Sequence, residues 1–573
     1  MSKMSVVISI TVLGVFLSPL QAQTPRGVNL AAMQGWDIVV AKDAIPSEIY
    51  AAEEFQEFFG QASGVKLPIV HRIDRWDKHV FIGPGKVMQA SPVGFGVDGL
   101  DPEDLHIVVR DDNIAIAGGR PRGTLYGVYT FLEEYLGVRF LTHDHTHVPA
   151  IGQQRVVGPV DRVYYPPFTD LRYTGYLAPH KHSVFAVRNR YNSLDQADEP
   201  RFGGISPFIN VNHSFYAQVP FQKYGQEHPE YFGLWDGKRM NDYVHTHLCL
   251  TNPDLVPIVT KYVLHDVGKA KRLNSPVSQN DTFWQYCQCE KCAAIDGPEE
   301  SHMGALLKFV NAVADEVAKP HPDIYIGTLA YGFSRKPPKT IKPRDNVQIN
   351  LCTMGRCHVH AISNQSCPRN VELMRDLKGW GRICKNLYAW DYYLGAGDYR
   401  LLPYPDLFTI KPNVNTLLAH GVKGVFMQGP YQPTAELSDL RHYLIIRLLW
   451  NPKLNDREVI DEFLNLHYGK AAPPIRRFIY LVHRHYKDTK IHHSRFVPGM
   501  KTFPVDQAVT EAGLKLFAEA MKLAESDEIK ARVEKASICA YRAAIEPIWI
   551  LKKDAKVNPM LAKRMRPLAK EFF

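Results

Sequence analysis

The sequence predicts an α/β protein built on a (β/α)8 TIM barrel, preceded by a small α/β domain and followed by a C-terminal helical domain. Three observations lead there. Between Phe168 and Gln428, eight apolar, β-branched or aromatic runs alternate with polar loop and helical sequence, which is the periodicity of such a barrel. Ahead of them, from Trp36 to about Pro149, strand and helix patterns alternate on a smaller scale. A chain of 573 residues is also too long for one hydrophobic core, since single cores stop growing near about 250 to 300 residues.

The chain opens with Lys3, an apolar stretch from Val6 to about Leu20, and Gln21-Ala22-Gln23. Residues 1–22 therefore read as a signal peptide, because the apolar stretch is shorter than the roughly 20 residues that span a bilayer, and the remainder is expected to be exported. The small α/β domain takes residues 27–160. Its expected elements are a strand from Asp37 to Val40, a helix from Pro46 to Phe59 ending at Gly60, strands from His79 to Ile82, Leu105 to Val109 and Ile114 to Gly118, and a helix from Gly123 closed by Gly137.

The barrel takes residues 165–433, with strands expected at 169–176, 188–194, 207–214, 274–281, 324–333, 347–355, 386–393 and 422–428. The first three are the least regular, and the long stretch 215–273 must hold an excursion besides helix. After Pro433, the segments from Leu437 to Leu449 and from Asp456 to His467 carry helical spacing and open a helical domain over 434–573.

Composition narrows the function. The apolar fraction of 45% is that of an ordinary globular protein, and no later run is apolar for long enough to span a membrane. A net charge of +9 with dispersed Lys and Arg disfavours nucleic acid, which calls for a concentrated basic stripe. Of nine cysteines, Cys287, Cys289, Cys292, Cys352, Cys357, Cys367 and Cys384 fall in one stretch, with Cys249 before it and Cys539 isolated in an apolar helical segment. Export favours disulfides for this cluster over zinc held by Cys287, Cys289, Cys292 and a fourth ligand such as His302 or Cys249. Asp144 among His143, His145 and His147 looks metal-like, but such alternation near a domain boundary is more often solvent-exposed. No metal and no cofactor is assigned.

Catalytic groups in a barrel project from the C-terminal strand ends. Asp281 and Asp391 end the fourth and seventh strands, where a glycosidic bond would meet one group that protonates its leaving oxygen and another that stabilises positive charge at the anomeric carbon. The competing reading for either is a helix cap or an Arg partner. Glu299, beside Glu300 in the loop after the cysteines, is a third acid candidate, against the simpler reading of favourable charge at a helix N-terminus. His213, Asn280, Tyr331, Trp390, Tyr392 and Gln428 suit sugar recognition, since apolar sugar faces stack on aromatic rings and hydroxyls need fixed polar partners, although any one aromatic is as readily core. No Gly-x-Ser-x-Gly elbow or phosphate-binding loop is present in the sequence.

Seven segments together resemble a known family: Ser278-Gln-Asn-Asp281, Cys287-Gln-Cys-Glu-Lys-Cys292, Phe309-Val-Asn311, Leu329-Ala-Tyr-Gly332, Leu387-Tyr-Ala-Trp-Asp-Tyr392, Gly424-Val-Phe-Met-Gln-Gly429 and Leu448-Leu-Trp-Asn-Pro452. They resemble the domain of unknown function 4838, a group that includes glycoside hydrolase family 163, whose characterised members are endo-β-N-acetylglucosaminidases acting on N-glycans. The segment Gly118-Gly-Arg-Pro-Arg-Gly-Thr-Leu-Tyr-Gly127 looks like the small domain that precedes the barrel in α-glucuronidases and β-hexosaminidases. The resemblance implies cleavage assisted by the substrate's 2-acetamido group, with one carboxylic acid protonating the leaving oxygen and a second acidic side chain orienting the acetamide. Asp281 carries over with its whole motif; Glu299 and Asp391 carry over less securely. The implied partner is a glycan or glycoprotein substrate. An exo-acting glycosidase on uronic-acid-containing glycans, and a carbohydrate-binding protein without catalysis, remain alternatives.

Overall fold

The computed structural model describes residues 26–176, 181–193, 197–242, 246–268, 272–393, 401–429, 432, 434–488, 492 and 506–553. The expected signal peptide, residues 1–22, lies outside the described residues.

The N-terminal sheet is built from β1 (Asp37–Val40), β2 (Ile69–Val70), β3 (His79–Ile82), β4 (Leu105–Arg110), β5 (Asn113–Gly118) and β6 (Val160–Tyr164). Its order is β6-β4-β5-β3-β1-β2, with β2, β1, β3 and β5 parallel and β4 and β6 antiparallel to their neighbours. Helix α1 (Pro46–Ser63) begins where Pro46 presets the backbone and Glu48 accepts the Ile45 N–H at 3.0 Å. It runs past Gly60, the expected end, because Gly64 is the residue that takes the left-handed conformation, φ +73°, that ends a helix. α1 and α2 (Gly123–Phe131) bury Phe55, Phe59, Leu125 and Tyr129 against Ile38, Ile107 and Ile116 of the sheet.

The second sheet is parallel throughout. Its strands are β7 (Leu171–Thr174), β8 (Asn274–Pro276), β9 (Tyr325–Ala330), β10 (Val347–Cys352), β11 (Asn386–Tyr392) and β12 (Val422–Gln428), in the order β7-β12-β11-β10-β9-β8. Helices α3 (Leu255–Val267), α4 (Glu290–Glu299), α5 (Met303–Ala318), α6 (Pro368–Ile383) and α7 (Ile410–Ala419) lie between or after its strands. The expected first, fourth, fifth, sixth, seventh and eighth strands are thus present, most of them shorter than expected.

The second and third are not. Residues 183–188 form a short helix, Arg190 adopts φ +58°, and no strand is assigned at 207–214, so a half-barrel stands in place of eight strands among the described residues. The reason is visible in the hydrogen bonds. Asn192 Oδ1 takes the Arg172 N–H at 2.6 Å, and Asn274 Oδ1 takes the Ile209 N–H at 2.8 Å, while the Leu273 N–H goes to the Pro207 carbonyl at 2.9 Å. Asparagine side chains occupy the edge groups that a strand's backbone would otherwise pair. Residues 189–193 and 206–214 are fastened to β7 and β8 in this way, and Val211 packs against Gly327 so closely that a Cβ there would meet it at 2.3 Å.

Alternation sorts each strand's side chains between the two faces of the sheet. Ile326, Ile349, Leu351, Leu387, Ala389 and Val425 face the helices, in a core shared with C-terminal Phe463, Phe478 and Phe517. Leu329, Cys352, Tyr388, Tyr392 and Phe426 face the concave side. The chain continues through α8 (Ser438–Trp450), α9 (Asp456–Tyr468), α10 (Ala472–Asp488), α11 (Gln507–Leu523) and α12 (Asp527–Lys553). The 215–273 stretch holds two one-turn helices and the two-stranded pair Leu234–Trp235 and Lys238–Arg239 before α3, which is the excursion its length requires.

The expected disulfides are absent, for all nine cysteines carry free thiols. Cys249 Sγ and Cys289 Sγ stand 3.6 Å apart, well beyond the bond length of about 2.05 Å. Among the described residues, no helix is long and apolar enough to cross a membrane.

Glu103 joins the N-terminal sheet to the parallel one. Its carboxylate accepts from Arg122 Nε at 3.0 Å, Arg172 Nη2 at 2.8 Å and Asn192 Nδ2 at 3.1 Å, and every one of these side chains is buried. Glu103→Gln leaves two buried guanidiniums without their counter-charge, and an urea titration of the variant is expected to show a loss of about 3 to 5 kcal/mol of folding free energy. A loss under about 1 kcal/mol would mean that the pair is solvated.

Candidate active site

The loop after β8 carries Asp281 over the concave face of the parallel sheet. Its carboxylate is 61% exposed, accepts the Tyr331 hydroxyl at 2.9 Å on Oδ1, and faces His213 Nε2 at 3.5 Å on the same oxygen. His213 Nδ1 lies 2.6 Å from the Gln279 carbonyl, which can only accept, so Nδ1 bears the proton and Nε2 is the nitrogen turned to Asp281. Both contacts fall on Oδ1.

Tyr331 is held by its own turn. The Ser334 hydroxyl lies 3.2 Å from the Tyr331 N–H, and Gly332, at φ +58°, leaves room where a Cβ would meet the Phe283 carbonyl at 2.7 Å. That close approach presses the Asp281 loop against the end of β9. Tyr331, Leu329, Val211, Cys352 and Tyr392 form one apolar patch with Phe283, Met354 and Trp390 at its edge.

Of the residues singled out from the sequence, Asp281, His213, Tyr331, Trp390, Tyr392 and Gln428 are brought to this face. Trp390 Nε1 donates to Gln428 Oε1 at 3.0 Å across β11 and β12, and the Trp390 and Tyr392 rings stack with centroids 6.0 Å apart. Trp390 also lines a cavity of about 290 Å³ with Tyr173, Asn210, Asn212, Arg272 and Phe426.

Three residues are placed elsewhere. Asp391 sits between Trp390 and Tyr392, so alternation turns it to the opposite face, where it is 0% exposed and accepts from Arg356 Nε at 2.8 Å, the Tyr392 N–H and the Thr353 hydroxyl. Burial alone would lower the Arg356 pKa; Asp391, with Tyr393 and Asp406 nearby, outweighs it and raises the pKa above the ordinary arginine value. The catalytic expectation for Asp391 is corrected to a structural ion pair.

Glu299 ends α4, buried, and its carboxylate takes the N–H groups of Thr340 at 2.7 Å and Ile341 at 3.2 Å together with the Thr340 hydroxyl. It clamps the 339–341 loop and does not face Asp281's pocket. Burial raises its pKa, but the Thr340 hydroxyl and the backbone donors outweigh it and hold Glu299 below the usual carboxylate range. Asn280 is likewise spent on structure, its Oδ1 on the Tyr216 N–H at 2.9 Å and its Nδ2 on the Thr246 carbonyl at 2.6 Å.

Several site residues were not anticipated. Trp284 is 72% exposed and packs edge-on to Phe283, placing an uncovered indole three residues from Asp281. Its adjacency in Asp281-Thr-Phe-Trp284 was a usable signal. Tyr173 and Arg272 gave none, because only folding brings the first strand beside the eighth and the fourth beside the gap.

The family described as Domain of unknown function (DUF4838) matches residues 140–480. The chain belongs to this family. The match covers the whole parallel sheet, Asp281 and the cysteine cluster of the DUF4838 chain. No curated protein matches the sequence. Among solved structures, the DUF4838 chain is similar to a family GH115 4-O-methyl-α-glucuronidase with specificity for decorated arabinogalactans, at 12% identity and TM-score 0.51, over 94% of this chain and 76% of that one. It is also similar to a family 89 glycoside hydrolase from Clostridium perfringens in complex with 2-acetamido-1,2-dideoxynojirimycin, at 12% identity and TM-score 0.53, over 91% of this chain and 65% of that one. At these identities the likeness is one of fold.

Two outcomes are expected. Asp391→Asn is expected to cost about 3 to 5 kcal/mol in chemical denaturation, as removal of one partner from a buried pair does; an unchanged midpoint would return Asp391 to the candidate acids. Glu299 has a folded pKa below its ordinary value of 4.5, so its stabilisation is complete above that pH and fades as the pH falls through the folded value. Glu299→Gln should therefore be less stable than the parent at pH 7, and the two melting temperatures should converge in acid.

Proposed function

We propose that the chain is a glycoside hydrolase in which Asp281 protonates the leaving glycosidic oxygen. The observation that carries this reading is the setting of one carboxyl group: Asp281, exposed above the concave face, is held through Oδ1 by the Tyr331 hydroxyl beside His213, with exposed Trp284 three residues on and Trp390 at the edge of the Tyr331 patch. A carboxylic acid fixed through one oxygen can deliver its proton from the other. The aromatic rings offer stacking surfaces for sugars, and Gln428 a polar contact. The fold shared with a glucuronidase and with a family 89 enzyme supports this choice of chemistry.

The finer reading is an endo-β-N-acetylglucosaminidase-like cleavage assisted by the substrate. With Asp391 and Glu299 committed to structure, Asp281 is the one of the three expected acids on the concave face. A mechanism in which the substrate's acetamide oxygen attacks the anomeric carbon removes the need for an enzyme nucleophile. In that step the bond from anomeric carbon to leaving oxygen breaks, its electron pair goes to the oxygen, and Asp281 supplies the proton. The resulting Asp281 carboxylate then takes a proton from the water that opens the cyclic intermediate. In this reading residues 165–433, built on the parallel half-barrel, are the catalytic unit, flanked by the 27–160 and 434–573 domains of an enzyme exported by residues 1–22.

Arg272 favours a second reading. Its place in the cavity with Trp390 and Tyr173 suits a substrate carboxylate, as in an exo-acting enzyme on uronic-acid-containing glycans.

The test incubates the purified protein with N-glycoproteins, aryl glycosides and uronic-acid-containing oligosaccharides, with products read by mass spectrometry. Released glycans lacking one core GlcNAc support the endo reading. Single sugars favour the exo reading, and no product across the panel overturns the hydrolase in favour of a binding protein. Asp281→Asn is expected to lower turnover about 100- to 10 000-fold with an unchanged circular dichroism spectrum. Tyr331→Phe should lose roughly tenfold, the worth of one hydrogen bond. Full activity in Asp281→Asn would remove it from the acid role.

A further inference from the structure

Six residues beyond Asp281 the chain enters a cluster that the proposed reaction leaves unused. Cys287 and Cys289 lie in the turn entering α4, Cys292 lies in its first turn, and Cys249 lies ahead of α3; their four Sγ atoms lie within 4.8 Å of one another. Cys249 Sγ and Cys289 Sγ are 3.6 Å apart. Bonds from sulfur to zinc of about 2.3 Å in tetrahedral array set sulfurs about 3.8 Å apart, so the observed spacing is that of ligands around an ion.

The surroundings fit the same use. Cys249, Cys287 and Cys292 are buried in an apolar shell with Ala305, Leu234, Leu250 and Ile295. The Leu234 N–H donates to Cys287 Sγ at 3.3 Å, and the Thr251 hydroxyl lies 3.3 Å from Cys292 Sγ. Donors of this kind steady a thiolate that is bound to metal. Cys289 immediately precedes α4, so the positive end of the helix also faces the sulfurs.

We propose that Cys249, Cys287, Cys289 and Cys292 bind one zinc ion, which fixes the loop that presents Asp281. Four thiolates fill a tetrahedral shell and leave no open position, so the ion is structural. Soft sulfur ligands select zinc over calcium or magnesium. Binding releases the four thiol protons to solvent and involves no change of oxidation state. This inference stands independently of the glycosidase reading.

The test is metal analysis and peptide-resolved alkylation of the full chain purified without chelator. At least one zinc per chain is expected, and Cys289→Ser should hold one equivalent less than the parent. In the parent, the thiols at 249, 287, 289 and 292 should become reactive together when a thiophilic chelator is added, while buried Cys352 and Cys539 stay protected. If Cys289→Ser does not fold, this comparison within the parent protein decides alone. A disulfide joining any two of the four, iron in place of zinc, or reactivity indifferent to the chelator overturns the proposal.

Discussion

One buried carboxylate, Glu103, holds the two sheets in register with each other. It takes a hydrogen bond from Arg122 on its own side of the boundary, from Arg172 on edge strand β7, and from Asn192 in the segment that stands where a second strand would be. An ion in the interior is stable only when its hydrogen-bonding capacity is filled, so the three donors are as constrained as the acceptor. Because β7 pairs with β12, the constraint passes from the edge of the parallel sheet to the next strand in, which bears Gln428.

The candidate site rests on a second constraint, the two-residue period of the strands. On β11 it sends Trp390 and Tyr392 to the concave face and Asp391 to the helices, where Arg356 meets it. A charge in the middle of an aromatic triplet is thus separated from its neighbours by a single peptide unit. Asp281 escapes this rule because it stands beyond the end of β8, in a loop whose direction is set by Tyr331 at one end and by the Cys287 turn at the other. Gly332 permits the close contact that joins these two elements.

The cysteines connect the site to the excursion between the gap and α3. Cys249 belongs to that excursion and Cys287, Cys289 and Cys292 to the Asp281 loop, so whatever holds the four sulfurs also holds two otherwise separate loops at the mouth of the sheet. Compartment alone favoured disulfides for this cluster. The geometry of four sulfurs at a common centre, with Sγ atoms too far apart for a bond, is what changes that reading.

Much of the fold was legible because it follows from local periodicity: β9, β10, β11 and β12, the helices after Pro433, and the N-terminal α/β pattern all appear near their expected bounds. The residues at 207–214 were misread as a strand because Phe208, Ile209 and Val211 look strand-like, and 188–194, largely polar, was read as one only to complete the barrel's count, whereas asparagine side chains tie both segments to the sheet edges across the gap. By itself the sequence determined the parallel strands β8 to β12, though it read eight strands where six pair, and the DUF4838 family. Tertiary structure alone decided that Asp391 belongs to Arg356, Glu299 to the Thr340 loop and Asn280 to Tyr216 and Thr246, and that Cys249 joins the other three cysteines. Those partners lie tens of residues away along the chain, and a side chain's role as acid, clamp or ligand depends on which group folding sets within about 3 Å of it.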